Sequence, residues 1–351
     1  MLRVSTRCRR QPNLEKNLMT SHDHSHYDRL LQLSCGYWKS HILFTAVEFG
    51  IFTQISKGKH TAKEIAESIR TDERATEMLL NALVSLELLD KREDRYYNTQ
   101  ISNLYLIRGV PQYQGDMIHH LHNIMDNWTM LSETITTGKS VSLENLPEDA
   151  DPHDLRDFIT AMHNIASVKA EELSGKINLE HAKTLLDIAG GPGTYAIALA
   201  KANPLLRAVV FDLEDVTKLT GEFITAAGMK NRITTQAGNC LEDSFGENYY
   251  DVVLVSNLLH IYNPANNTKI LKKCHDALKD NGRIIIHEFV LDETKTKPQF
   301  ATLFSLNMLI GTVEGASYSE SEYKSWLEET GFRDIKKVDL KFNSSLIMGT
   351  K

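Results

Sequence analysis

Apolar positions along this chain keep two different periods, and the change comes near residue 180. From Tyr27 to about Phe52, the residues Leu30, Leu33, Tyr37, Ile42, Ala46 and Phe49 recur near helical spacing, which predicts helix. In "HTAKEIAESI", Thr61 stands three residues before Glu64, the capping box that opens a helix. A second cap begins "RTDERATEMLLNALVSLELLD", a longer helix, and "KREDRYYNT" reads as a short hairpin. Helix, turn, helix and wing make a winged-helix arrangement, assigned to residues 27–115. Residues 116–180 read as further helices, interrupted by the polar stretch "LENLPEDADPHD" and ending in "DLRDFITAMHNIASVKAEELSG".

From Thr184 onward, short apolar runs alternate with helical segments, which predicts an α/β fold with a mostly parallel sheet. The strands are "TLLDIA", "RAVVFD", "RITTQAG", "DVVLVSN" and "RIIIHEF", followed by a β-ribbon near "IKKVDLKFNSSLIMGT". No repeat of solenoid period is present.

With 351 residues, 42% of them apolar and 24% charged, the chain can bury two cores. A net charge of −7 gives no global positive field for nucleic acid or anionic lipid, so a small or neutral partner is expected. The helix a winged-helix regulator would lay in a DNA groove carries Glu73, Arg74, Glu77 and Glu87, a poor phosphate reader. The N-terminal module is therefore expected to pack or to form a dimer. Cys8, Cys35, Cys240 and Cys274 are widely spaced without a C-x-x-C pair, which argues against a disulfide framework or zinc knuckle and fits the cytoplasm. No apolar run approaches the ~20 residues of a membrane helix. Residues 1–26, with Arg3, Arg7, Arg9 and Arg10 before the first acid Glu15, are expected to be a disordered leader, with Met19 as an alternative start. His22, His24 and His26 alternate there without a scaffold, and no metal is expected.

Open parallel sheets bind ligands beyond the carboxyl ends of their strands. Read in order, those ends are Asp187 with Gly190, Gly191 and Gly193, then Asp212, Asn239, His260 and Glu288. Five such ends argue for one composite pocket. The loop "DIAGGPGTYAIALA" lets backbone approach a ligand closely. Gly191, Gly193 and Ala196 also satisfy G-x-G-x-x-A, which leaves a nicotinamide dehydrogenase open. Asp187 just before the glycines would repel a diphosphate; it suits the sulfonium and ammonium of S-adenosylmethionine. Asp212 can accept both ribose hydroxyls. Asn239 suits the adenine edge, and Cys240 is expected to pack there rather than act as a nucleophile. Leu213 and Ser256 complete the candidate cofactor set.

The segments "LLDIAGGPG", "VVFDLEDV", "LLHIY", "HEFVLDE", "LFSLNMLIGTVEGASYSESEY" and "TGFRDI", with the winged-helix module, span nearly the whole chain from Tyr27. Together they resemble the small-molecule O-methyltransferase family that uses S-adenosylmethionine, which includes caffeate-type plant enzymes and hydroxyindole (acetylserotonin) O-methyltransferase. "SLNML" followed by "EGASYSESEY" is closest to the hydroxyindole branch. The resemblance implies a Rossmann-like, mostly parallel seven-stranded methyltransferase sheet over residues 116–351, with 116–180 as a helical substrate-lining linker. It also implies a homodimer formed through the N-terminal module.

By the same resemblance, His260 removes the acceptor hydroxyl's proton and Glu288, 28 residues on, orients it. A phenol is a poor nucleophile until deprotonated, and a carboxylate fixes the imidazole tautomer and stabilises the imidazolium. Three positions depart from the family pattern: Ile261 where many relatives have Asp, Ser317 where plant enzymes have a second acid, and Asn239 in place of an adenine-binding acid. The first two, the missing flanking acids, keep a second chemistry open, a carbon methylase or a hydroxylase-like homologue; the last changes one hydrogen bond. The acceptor pocket would take Phe158 and Met162 from "FITAMHNIA", Asn307 and Met308 from "FSLNML", Asn257 beside the fourth strand, and the other subunit's N-terminal helix. Asn307 in an apolar helix needs hydrogen-bond partners. His287 should face away from Glu288 and pack on a helix; His119, His120 and His122 are expected to be structural or at the rim.

Overall fold

The computed structural model describes residues 24–141 and 152–351. The expected leader, apart from its last three residues, and most of the polar break at "LENLPEDADPHD" lie outside the described residues.

The N-terminal region holds α1 (His24–Ser34), α2 (Gly36–Glu48), α3 (Ile51–Ser56), α4 (Ala62–Ile69) and α5 (Glu73–Ser85). The Thr61 hydroxyl accepts the Glu64 N–H at 3.2 Å while the Glu64 carboxylate accepts the N–H groups of Thr61 and His60. This capping box starts α4, and those backbone amides hold the Glu64 carboxyl down at about 2. Asp72 caps α5 through the Ala75 N–H at 2.8 Å. The hairpin β1 (Leu89–Arg92) and β2 (Arg95–Asn98) pairs Leu89 with Asn98, forming the wing. Ile51, Phe52, Ile65, Leu80, Leu83, Leu89 and Tyr96 bury a core among these elements. Outside it, Tyr27, Leu30, Leu33, Tyr37 and Trp38 stay exposed, Leu33 at 69% and Trp38 at 56%. That uncovered apolar stripe belongs to α1 and the start of α2.

Next come α6 (Gln100–Tyr105), α7 (Gly115–Asn123), α8 (Met125–Thr129), α9 (Leu131–Thr137) and the long α10 (Pro152–Lys176), which packs on α7. The α/β region then runs β3 (Thr184–Ile188), α11 (Thr194–Ala202), β4 (Arg207–Asp212), α12 (Glu214–Ala226), β5 (Ile233–Ala237) and β6 (Tyr250–Ser256). A 3-10 turn at Leu259–Ile261 leads to α13 (Pro264–Ala277), β7 (Leu278–Glu288), α14 (Gln299–Gly311), α15 (Glu320–Glu329), β8 (Arg333–Asp339) and β9 (Ser345–Thr350).

These strands form a seven-stranded sheet in the order β5-β4-β3-β6-β7-β9-β8. The strands from β3 to β7 are parallel, and β9 runs antiparallel between β7 and β8. β7 begins five residues before the apolar run that announces it, because Tyr250 pairs with Leu278 before a register shift brings Val252 opposite Arg283. Helices cover both faces, so the central strands read as unbroken apolar runs; Leu185, Leu186, Val253, Leu254 and Ile284 are wholly buried. Strand order reverses between β3 and β6, the switch point where open α/β sheets hold ligands. Asp187 on β3 lies beside Leu254 on β6, and Ser256 lies beside His287 on β7. The register thus gathers the glycine loop, His260 and Glu288 at one edge. Among the described residues no helix is long and apolar enough to cross a membrane.

Candidate active site

The loop after β3 turns sharply: Ala189, Gly191 and Gly193 have φ of 50°, 53° and 69°. A Cβ on Gly190 would stand 2.7 Å from the Asp187 carboxyl carbon, so only glycine lets the loop lie this low. Asp187 is 1% exposed, and neither carboxylate oxygen has a hydrogen-bond partner. Burial, reinforced by the nearby charge of Asp212, pushes its pKa up to about 8.

Asp212, at the end of β4, accepts the Gly191 N–H and the Leu213 N–H, each at 2.8 Å. Each oxygen keeps further lone-pair capacity, so two ribose hydroxyls still fit. Burial raises its pKa to about 6 against the pull of those amides. Leu213 contributes that amide and leads into α12, packing by Leu155 and Ile159 of α10. Ile159 also comes within 3.9 Å of where a Cβ on Gly191 would be, so α10 roofs the loop.

The fit to S-adenosylmethionine rests on three features: an orphaned buried carboxylate under the loop, a cradle that side chains would fill, and a carboxylate at the end of β4. A sulfonium and an ammonium supply the positive charge that two buried acids lack; a diphosphate would add to the repulsion. Asn239 follows β5, but its side-chain oxygen accepts the Leu241 N–H at 2.9 Å, so its acceptor atom serves its own turn. Cys240 is 8% exposed in the hydrophobic core, its Sγ is 3.4 Å from the Tyr262 hydroxyl, and burial raises its pKa.

Ser256 takes a role that sequence reasoning missed. Its hydroxyl bonds His287 Nδ1 at 2.9 Å, and His287 Nε2 meets Ser344 Oγ at 3.0 Å. His287 faces α11 as expected, edge-on to Tyr195, and burial holds its imidazole neutral with a pKa of about 3. Asn257, at φ 53°, donates its N–H to the His287 carbonyl and its amide to Ser256 Oγ. Ser256 and Asn257 thus brace the junction between β6 and β7.

His260 sits in the 3-10 turn, 6% exposed, with Nδ1 2.7 Å from Glu288 Oε2. Glu288, completely buried at the end of β7, accepts the Leu259 N–H at 3.0 Å on its other oxygen. The carboxylate therefore grips both the imidazole and the turn that carries it. Phe304 of α14 meets the imidazole edge-on at 4.9 Å. The Ala316 N–H bonds the His260 carbonyl at 2.9 Å, and a Cβ on Gly315 would come within 2.4 Å of that oxygen. Ser317 is 3% exposed with an unpartnered hydroxyl. Glu314 bonds Asn263 and Asn266 at the start of α13 instead of the imidazole. Among the described residues Glu288 is the carboxylate bonded to His260.

On the acceptor side, Phe158 meets His120 edge-on at 5.4 Å, and burial lowers the His120 pKa. Met162 is half-buried one turn further along α10. Asn307 finds its partner in Trp128 of α8, whose Nε1 donates to Asn307 Oδ1 at 3.0 Å. An amide in an apolar helix signals that it needs a donor; the sequence does not say which one. Met308 is 9% exposed and packs rather than opens to solvent.

Comparisons with known proteins identify the family of the chain. A family model described as an O-methyltransferase domain matches residues 136–333, and one described as an O-methyltransferase dimerisation domain matches 31–108. The chain is 33% identical to 3-hydroxy-5-methyl-1-naphthoate 3-O-methyltransferase of Streptomyces sahachiroi, over 88% of this chain and 90% of that one. It is 29% identical to an N,N-dimethyltransferase of Streptomyces rimosus, over 92% and 96%. Among solved structures, human N-acetylserotonin methyltransferase in complex with S-adenosylmethionine superposes with a TM-score of 0.86 at 25% identity, over 95% of this chain and 99% of that one. The chain belongs to the O-methyltransferase family and is an S-adenosylmethionine-dependent O-methyltransferase.

Proposed function

We propose that the acceptor is a hydroxyl on a flat aromatic or polyketide-like molecule, and that His260 is the general base. The observation that carries this reading is the 2.7 Å bond between His260 Nδ1 and a fully buried Glu288. With Nδ1–H donating to the carboxylate, Nε2 carries the lone pair and takes the hydroxyl proton. Glu288 then stabilises the imidazolium, and the pair contributes about 10² to 10⁴ in rate. S-adenosylmethionine, when bound, supplies a methyl group activated by its sulfonium. Asp187, the loop of Gly190, Gly191 and Gly193, Asp212, Leu213, Asn239, Cys240 and Ser256 would hold it. Phe158, Met162, Asn257, Asn307 and Met308 would orient the acceptor, and α10 and α14 exclude water.

The name of the Streptomyces sahachiroi relative, a hydroxynaphthoate methyltransferase, supports an aromatic acceptor. The name of the Streptomyces rimosus relative raises an amine acceptor. A neutral amine is already nucleophilic, so an imidazole held by a buried carboxylate favours the hydroxyl. Residues 27–115 serve as the dimerisation module of a homodimer and 116–351 as the methyltransferase domain, with 116–180 lining the acceptor. The exposed stripe on α1 and α2 supports this division. The widely spaced cysteines support a cytoplasmic setting. Mass-detected methyl transfer to a panel of hydroxynaphthalenes and their amino analogues tests the reading. Transfer to the amines alone would overturn the hydroxyl assignment.

A further inference from the structure

The proton transfer at His260 makes no use of Lys169, a half-buried residue of α10. Its Nζ lies 4.9 Å from the centre of the Phe289 ring, and among the described residues it has neither a hydrogen bond nor an ion pair. Lysines at such depth usually meet a carboxylate or extend their ammonium to water. Here burial alone acts on the group, lowering its pKa to about 8, and no acid opposes that shift. The ring face compensates only part of the lost hydration.

The position is close to the chemistry. Phe289 directly follows Glu288, and its ring lies 4.7 Å from Phe304, which touches His260 at 4.9 Å. On the other side, the Lys169 charge is near enough to His287 to help keep that imidazole neutral. The ammonium therefore stands near the end of β7, on the helix that also roofs the glycine loop and presents Phe158. The acids of the site do not bond it: Glu288 meets His260, Asp212 accepts two amides, and Asp187 lies unpartnered beneath Gly190. A ligand can bring the counter-charge that the protein does not place there.

We propose that Lys169 anchors a ligand carboxylate in the methyl-transfer pocket. This rests on the methyl-transfer reading above, whose ligands offer two sources: the amino-acid end of S-adenosylmethionine and the acid group of an aromatic hydroxy acid. Both present the same anion to the same ammonium.

Calorimetry on the full chain separates the sources, using Lys169→Met, which keeps the apolar stem, and Lys169→Arg, which keeps the charge. In one arm the ligands are S-adenosylhomocysteine and 5′-methylthioadenosine, which lacks the carboxylate. In the other they are 6-hydroxy-2-naphthoate and its methyl ester, added with S-adenosylhomocysteine present. A lost charge-assisted bond weakens the carboxylate ligand about tenfold or more in Lys169→Met, leaves its uncharged counterpart within about twofold, and is largely restored in Lys169→Arg. Loss in the first arm assigns the carboxylate to the cofactor, and loss in the second assigns it to the acceptor. Unchanged affinities in both arms overturn the proposal, as does an equal loss for charged and uncharged ligands, which marks a packing role. If the methionine variant does not fold, Lys169→Gln gives the same ratios. Failure of the wild-type protein to bind either adenosine ligand would instead overturn the methyl-transfer reading itself.

Discussion

Gly190 rests directly on Asp187: a Cβ added to the glycine would stand 2.7 Å from the carboxyl carbon and 2.8 Å from a Val210 methyl. Neither neighbour can retreat, since Asp187 and Val210 are both buried strand residues. Gly190→Ala should therefore lift the loop. Overpacking of this kind costs about 1–3 kcal/mol. The melting temperature should fall, and S-adenosylhomocysteine affinity should drop about tenfold or more. Unchanged binding by calorimetry would show that the loop does not cradle the cofactor.

Asp187 ties stability to pH in an unusual direction. Its folded pKa of about 8 lies above the ordinary 3.8, so its contribution to stability is complete below 3.8 and is lost as pH rises through about 8. Asp187→Asn removes that loss. The variant should unfold at higher denaturant than the wild type near pH 9, with a margin that narrows toward pH 5, while its affinity for S-adenosylmethionine falls at both. A variant less stable than the wild type at pH 9 would mean that the carboxylate has a partner in solution.

His260→Ala should lower kcat about 10² to 10⁴-fold and leave cofactor affinity unchanged. Glu288→Gln removes the charge that stabilises the imidazolium and leaves a buried amide facing the Leu259 N–H and the imidazole N–H. Its kcat should fall by a similar factor, with a lower melting temperature as well. If His260→Ala loses cofactor binding instead, the residue is structural.

The exposed stripe on α1 and α2 predicts the assembly. Leu33→Asp together with Trp38→Asp places two charges on a face that is 69% and 56% exposed at those residues in the single chain. Sedimentation should show a shift from dimer to monomer, and the melting temperature should lose its concentration dependence. A dimer that survives both substitutions places the interface elsewhere.

Trp128→Phe deletes the donor to Asn307 Oδ1. The amide is then free to turn, and the acceptor KM should rise several-fold with kcat little changed, as for a lost orienting bond. Equal kinetics for both proteins would remove Asn307 from the acceptor pocket.

Much of the fold was legible because its signals are local. The capping box at Thr61 and Glu64 needs only a three-residue spacing, and β3, β4, β6 and the second half of β7 are short apolar runs between helical stretches. The extension of β7 back to Leu278 was not legible, because "KDNG" has no strand pattern and falls in the register shift between the Tyr250–Leu278 and Val252–Arg283 pairs. In the site, Asp187, Asp212, His260 and Glu288 could be found by reading strand ends in chain order. Neither the Asn239 oxygen serving its own turn nor the Ser256 bond to His287 could be found that way.

By itself the sequence determined the order of strands and helices and the residues at the strand ends. Each follows from chain order or from a short repeat, which backbone geometry converts directly into structure. Only the tertiary structure decided that Asp187 lies unpartnered beneath Gly190, that Trp128 serves Asn307 from 179 residues away, and that Lys169 faces a ring without an acid. Whether a polar atom is satisfied depends on which distant side chain packing brings within about 3 Å of it, and no local pattern encodes that distance.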